Sequence, residues 1–185
     1  MIEPPVRSAA HRADLDPPER HPEAPAPGTV LPSHYADCVG CGPNHPTGLR
    51  MVTTAGPDVT VTGTFTVTAA HQGAPGLAHG GVLATALDEV LGGLSWLLRK
   101  PMVTGRLETD YIRPVPVGTT LALAARCVGF SGRRMYAKGQ GRLDTPDGPI
   151  AIRAAAVFVV VGVEHFTEHG ADMTAEQVHD YEVNP

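Results

Sequence analysis

With 185 residues the chain has the length of one ordinary domain with tails, and a second full domain is not expected. Hydrophobic residues make up 42% and charged residues 18%, and mean hydropathy is -0.04, which excludes a disordered chain. The formal charge of -5 argues against general nucleic-acid binding, and three cysteines, an odd number, make no disulfide framework and fit a reducing compartment.

In chain order, residues 1–33 come first and hold eight of the 18 prolines with no Phe, Trp or Tyr. So little apolar area does not offset the entropy of ordering, and this segment is expected to be a flexible tail. It lacks the charged-then-apolar pattern of a secretory leader, so a cytoplasmic location is expected. The folded domain is expected over residues 34–163. It opens on CVGCGPNHPTGLRM, where Gly, Pro and Asn mark turns. Cys38 and Cys41, with His34 and His45, offer the donor types of a zinc site, yet all four fall within 12 residues, tighter than usual zinc spacings. They read as small thiols buried in a turn, and neither a metal nor a cofactor is expected.

VTVTGTFTV, from Val59 to Val67, alternates with period two as a half-buried strand does. A helix follows, and then four strand candidates: Val103 to Ile112, Thr119 to Phe130, Arg133 to Leu143, and Pro149 to Val161. RPVPVG, GFSG and TPDG supply the turns between them. The run AAAVFVVVGV, from Ala154 to Val163, reads as a buried strand; it is too short to cross a membrane, and no membrane span is expected. Residues 164–185 read as a partly helical extension. One or two strands, a helix and four more strands is not the alternating βα order of a parallel sheet. It predicts an α+β domain, one antiparallel sheet wrapped around one long helix.

That helix begins in HGGVLATALDEVLGG, from His79 to Gly93. Leu83, Leu87, Val90, Leu91, Leu94, Leu97 and Leu98 recur at helical spacing and form one apolar stripe over about residues 80–99, with Pro101 ending the pattern. Asp88 falls on one flank of the stripe and Glu89 on the other. A helix-interior Asp at the edge of a packed face has poor propensity and a desolvation cost, so it calls for a partner or a function. His79, Gly80 and Gly81 leave the first-turn N–H groups open to close approach by a ligand oxygen, although glycines there also serve a tight turn. Gly80 and Asp88 are eight residues apart, about 12 Å along a helix, so they do not meet on one carbonyl within a chain. Two antiparallel helices related by a two-fold axis would bring Gly80 of one chain to Asp88 of the other.

HQGAPGLAHGGVLATALDEVLG followed by VTGRLETDYIRPVPVG resembles the hotdog-fold acyl-CoA thioesterases of the PaaI type, including their mammalian mitochondrial relatives. CVGCGPNHPTGLRM resembles the lead-in found in many members, and the likeness spans roughly residues 38–161. It implies a hotdog fold, a curved antiparallel sheet around a central helix, and hydrolysis of an acyl-CoA in a homodimer or dimer of dimers. Carried over by position, the family's helix acid is Asp88, acting as general base on water or as nucleophile. The oxyanion donor is Gly80, shaped by His79 and Gly81, and the water-positioning hydroxyl is Thr104.

Three further groups stand beside this reading. His71 precedes the helix as the catalytic His of hotdog dehydratases does, which leaves a hydratase or dehydratase as an alternative and a cleft-lining or structural role as the plainer one. Arg113, Arg133 and Arg134, with Lys138, are candidates for the phosphates of coenzyme A, against the plainer reading of solvated strand ends. A non-catalytic protein that binds acyl-CoA or an acylated carrier protein is the remaining alternative.

Overall fold

In a computed structural model, residues 14–170 and Val183 are described. Their frame is a six-stranded, open, wholly antiparallel sheet, with strands β1 (Val52–Ala55), β2 (Thr60–Thr66), β3 (Met102–Tyr111), β4 (Thr120–Ser131), β5 (Arg134–Leu143) and β6 (Ile150–Val160). The spatial order is β1-β2-β4-β5-β6-β3, so β3, which directly follows the helix, forms one edge.

Strand formation follows from the period-two pattern anticipated for Val59 to Val67. In β2, Val61 and Phe65 are buried while Thr62, Thr64 and Thr66 face water. β4 repeats this with Leu121, Leu123, Ala125 and Cys127 turned inward. Bulges interrupt the pairing between Thr104 and Arg106, between Cys127 and Gly129, and between Gly141 and Arg142. Such extra residues bend a strand and increase its twist, which suits a sheet that curls around a helix.

The helix α1 (Gly80–Gly92) contacts β2, β3, β4, β5 and β6. Leu83, Leu87, Val90 and Leu91 of its stripe are buried, joined by Ala86. The expected single helix of residues 80–99 breaks at Gly93, and a five-residue α2 (Leu94–Leu98) continues it, every residue of it buried. Arg99 closes α2 in the left-handed conformation, with φ 47°, two residues before Pro101. Residues 80–98 are long and apolar enough by composition alone to cross a membrane, but the apolar stripe is spent on the sheet.

The expectation of a flexible tail over residues 1–33 is corrected for residues 14–33, which lie on the domain; residues 1–13 are outside the described residues. Asp16 bridges to Phe130 and Val30 to Thr54, and Leu31 is buried in the core. The guanidinium of Arg20 donates to the carbonyls of Gly56, Asp58 and Pro25. Proline-rich chain has less conformational freedom to lose on ordering, and backbone pairing with β1 replaces the aromatic anchors it lacks. At the other end α3 (Glu164–His169) forms, closed by Gly170, and of the expected extension beyond it only Val183, buried in the core, is described.

Candidate active site

At its start, α1 is capped by the His79 ring, whose Nδ1 accepts from the N–H of Gly81 at 2.9 Å. That bond occupies one first-turn donor. The N–H of Gly80 has no partner among the described residues. The carbonyl of Gly80 accepts from the hydroxyl of Tyr111 at 2.9 Å, which ties the helix start to the far end of β3. A cleft of about 360 Å³ opens there, walled by Leu77, Gly80, Leu83, Tyr111 and Arg113.

Two turns later Asp88 is half-buried, and its Oδ1 accepts from the Thr104 hydroxyl at 2.9 Å. Thr104 stands beside the β3 bulge, so the extra residue Gly105 sets the position of that hydroxyl. Burial raises the Asp88 carboxyl above the ordinary carboxylate range; Thr104 opposes the rise and the nearby Cys38 adds to it. A second cleft, of about 180 Å³, contains Asp88 and Thr104 between the apolar walls Trp96, Met102, Phe158 and Phe166. Gly80 and Asp88 therefore belong to separate clefts of one chain.

Glu89 lies on the other flank of the stripe, as the helical wheel indicates, yet it lines the same cleft as Asp88. Its Oε2 lies 3.8 Å from Cys38 Sγ, and Cys41 Sγ lies 3.3 Å from Nδ1 of His34. Burial, followed by the charge at Cys38, pushes the Glu89 carboxyl up to about 7. The two thiols move apart. Cys38 falls because the Cys41 thiol donates to it against the cost of burial, and Cys41 rises because Cys38 holds that proton in place. His34 is raised: burial opposes its charge, but Cys38 and Glu89 together outweigh burial.

The remaining sequence candidates are placed as follows. His71 is buried at 5% exposure; its Nδ1 accepts from the Thr68 N–H at 3.0 Å, and its ring meets Phe65 edge-on at 5.4 Å. It lines neither cleft. Arg113 lies in the wall of the Gly80 cleft and donates to the carbonyl of Ile150. Arg133 and Arg134 are exposed at the β4–β5 turn. His45 does not join the cysteines, and accepts from the Thr47 N–H instead. Tyr111, the aromatic cleft walls and the contact of Glu89 with Cys38 are absent from the sequence reading. Only the adjacency of Glu89 to Asp88 hinted at any of them.

Residues 75–148 match the family model of the thioesterase superfamily. A crystal structure described as a thioesterase superfamily protein superposes with a TM-score of 0.62 at 32% identity, covering 74% of this chain and 70% of that one. This chain belongs to the thioesterase superfamily. Among curated relatives of this thioesterase-superfamily chain, the acyl-coenzyme A thioesterase THEM4 of Xenopus laevis is 30% identical over 88 residues, 48% of this chain and 39% of that protein. The chain thus matches less than half the length of that relative. The E. coli PaaI protein of the phenylacetic acid degradation operon shares the fold, with a TM-score of 0.57 at 18% identity over 62% of this chain and 81% of its own. The sheet and central helix are those of the hotdog fold expected from the sequence.

Proposed function

We propose that this chain is an acyl-CoA thioesterase in which Asp88 is the general base. The observation that carries the reading is the Thr104 hydroxyl bonded to Oδ1 of a half-buried Asp88 inside an apolar-walled cleft. One carboxylate oxygen is engaged, and the other is left to take a proton from water. The water oxygen attacks the thioester carbonyl, the carbon–sulfur bond breaks, and the proton passes to the departing thiolate, giving free acid and the thiol of coenzyme A. The curated relative is itself described as an acyl-coenzyme A thioesterase, which supports this substrate class.

The oxyanion donor comes from a second copy. β3 is an edge strand with Thr104 near one end and Tyr111 at the other. Two copies pairing these edges antiparallel about a two-fold axis near the middle of the strand bring the Thr104 end of one to the Tyr111 end of its partner. The Gly80 N–H then faces the Asp88 cleft across the interface and stabilises the developing oxyanion. Basic groups gather at the same place. Arg134 is in register with Val159 and Val103, next to the Phe158–Thr104 pair, and Arg113 arrives with the Gly80 cleft of the other copy. These cations suit the phosphates of coenzyme A.

Thiol release from a panel of aliphatic and aromatic acyl-CoAs tests the reading. Asp88→Asn should lose nearly all turnover while keeping the oligomer and its melting temperature; unchanged turnover overturns the assignment. Addition of water to an enoyl-CoA without thiol release would favour the hydratase alternative, against which the engaged, buried His71 speaks. Binding without turnover on any acyl chain would favour a carrier role.

A further inference from the structure

The sequence reading left Cys38 and Cys41 as inert thiols in a turn, and the structure gives that turn a different character. A ring nitrogen of His34 and the sulfurs of Cys38 and Cys41 all lie within 4.8 Å of one another. The individual approaches are 3.3 Å from Cys41 Sγ to His34 Nδ1 and 3.8 Å from Cys38 Sγ to Glu89 Oε2. Around a tetrahedral zinc ion with Zn–S near 2.3 Å and Zn–N or Zn–O near 2.0–2.1 Å, adjacent donor atoms are separated by roughly 3.3 to 3.8 Å. Two pairs, Cys41–His34 and Cys38–Glu89, therefore stand at the spacing a metal would impose, while the His34–Cys38–Cys41 trio as a whole spans up to 4.8 Å and would draw together around an ion. We propose that His34, Cys38, Cys41 and Glu89 form a four-coordinate zinc site that fastens the segment before β1 to the central helix.

The surroundings are those of a built site. The backbone N–H of Gly40 points to Cys38 Sγ at 3.3 Å, and the Ser33 hydroxyl lies between Cys41 Sγ at 3.4 Å and the Tyr35 carbonyl at 3.0 Å. Donors aimed at sulfur stabilise the thiolates that a metal needs, and such outer contacts tune a metal centre. Gly40 has a second role, because a Cβ at that position would overlap the Glu89 carboxylate. A side chain there would push the Glu89 carboxylate out of its present place beside the thiols. Gly42 is equally constrained: its Cβ would collide with the backbone of Cys38 and Ala36, so the C-x-x-C-G turn holds the two sulfurs on one side. The donor set, two thiolates with one imidazole and one carboxylate, suits zinc over magnesium or calcium, which prefer all-oxygen shells.

Four protein ligands close the coordination sphere, which makes the role structural. The segment it fastens contributes Pro32 and His34 to the wall of the Asp88 cleft. The inference stands apart from the acyl-CoA reading, and its test needs no substrate.

The test is elemental analysis of full-length protein purified under reducing conditions, supplied with excess zinc and then desalted. About one zinc per chain is expected, released on thiol modification, with Glu89→Gln and the Cys38→Ser/Cys41→Ser pair falling towards zero. Cobalt loading of the unaltered protein gives a reading independent of whether the variants fold. Near-ultraviolet thiolate-to-cobalt absorption with intense visible bands of a tetrahedral ion is expected. Gly40→Ala, which displaces Glu89, should weaken those bands. Zinc-free protein without cobalt absorption, or a Cys38–Cys41 disulfide that persists in place of metal under the same reducing conditions, would overturn the proposal.

Discussion

Replacement of Thr104 by Val isolates the hydrogen bond on which the proposed base depends. The two residues are nearly isosteric, and the 2.9 Å bond to Asp88 Oδ1 is the contact removed. A hydrogen bond to a charged group contributes about 1.5 to 3 kcal/mol. Thr104 is exposed to solvent, so the lower end applies, about 1.5 kcal/mol, or roughly a factor of ten in the acid constant of Asp88. The sign follows from the chemistry: a base works ionised, Thr104 favours the ionised form, and burial already raises the carboxyl. Activity is therefore lost as pH falls through a value above the ordinary carboxylate range, and Thr104→Val moves that acid limb upward by about one pH unit. The titrating groups around Asp88, namely Glu89, Cys38 and His34, are unchanged in the variant, so the difference between the two profiles belongs to Thr104. The assay is thiol release measured as kcat/KM between pH 5 and 9, with Thr104→Ser as the control that restores the limb. Coincident acid limbs for Val and the parent would refute the argument, because the hydroxyl would then not be bonded to the working carboxylate.

Three other perturbations probe the frame. Leu87→Ala removes a side chain with no exposed surface between helix and sheet and should cost about 2 to 5 kcal/mol of unfolding free energy in urea titrations; a loss below 1 kcal/mol would mean that the helix is not packed as described. The Ser95 hydroxyl is buried with no partner among the described residues, so Ser95→Ala should raise stability by about 1 kcal/mol, and a clear loss would reveal an acceptor supplied from elsewhere. Burial pushes the Cys127 thiol up to about 11 from its ordinary value of 9.0. The stability this contributes is complete below that ordinary value and is lost as pH rises through the raised one. The melting temperature of the parent should accordingly fall more steeply than that of Cys127→Ala between pH 9 and 11, and parallel curves would exclude the thiol as the cause.

How far the sequence could be read depended on whether a feature is local. The expected strands start and end within a residue or two of β2 to β6, because each segment carries its own local pattern, alternation in β2 and a continuous apolar run in β6. Asp88 was legible for a similar reason: an acid on the flank of a leucine stripe violates a local rule, and such violations mark sites. Residues 14–33 were misread because what orders them is distant, the carbonyls of Gly56 and Asp58 for Arg20 and the backbone of β1 for Leu31. No composition count contains those partners. The break at Gly93 was open to a sequence reading, since Gly92 and Gly93 stand together inside the helix, yet the continuing stripe of Leu94, Leu97 and Leu98 hid it.

The two adjacent acids show why the helix carries both. Successive residues on a helix point about 100° apart, so Asp88 and Glu89 serve opposite flanks of one buried stripe. Asp88 meets a hydroxyl from the strand that follows the helix, and Glu89 meets thiols from the segment that precedes the sheet. A single turn of helix thus fixes both the proposed base and the segment that forms part of its wall. With Glu89 as a ligand, movement of the Cys38 turn would reach the helix through that side chain. Under the zinc reading, metal removal should loosen the cleft around Asp88, whose wall includes the ligands His34 and Glu89, and Gly40→Ala should lower turnover while leaving the Thr104–Asp88 pair in place. A fall in kcat with Thr104→Val still moving the acid limb by about one pH unit is the signature of that indirect effect, whereas loss of that response would place the damage at the Thr104–Asp88 pair itself.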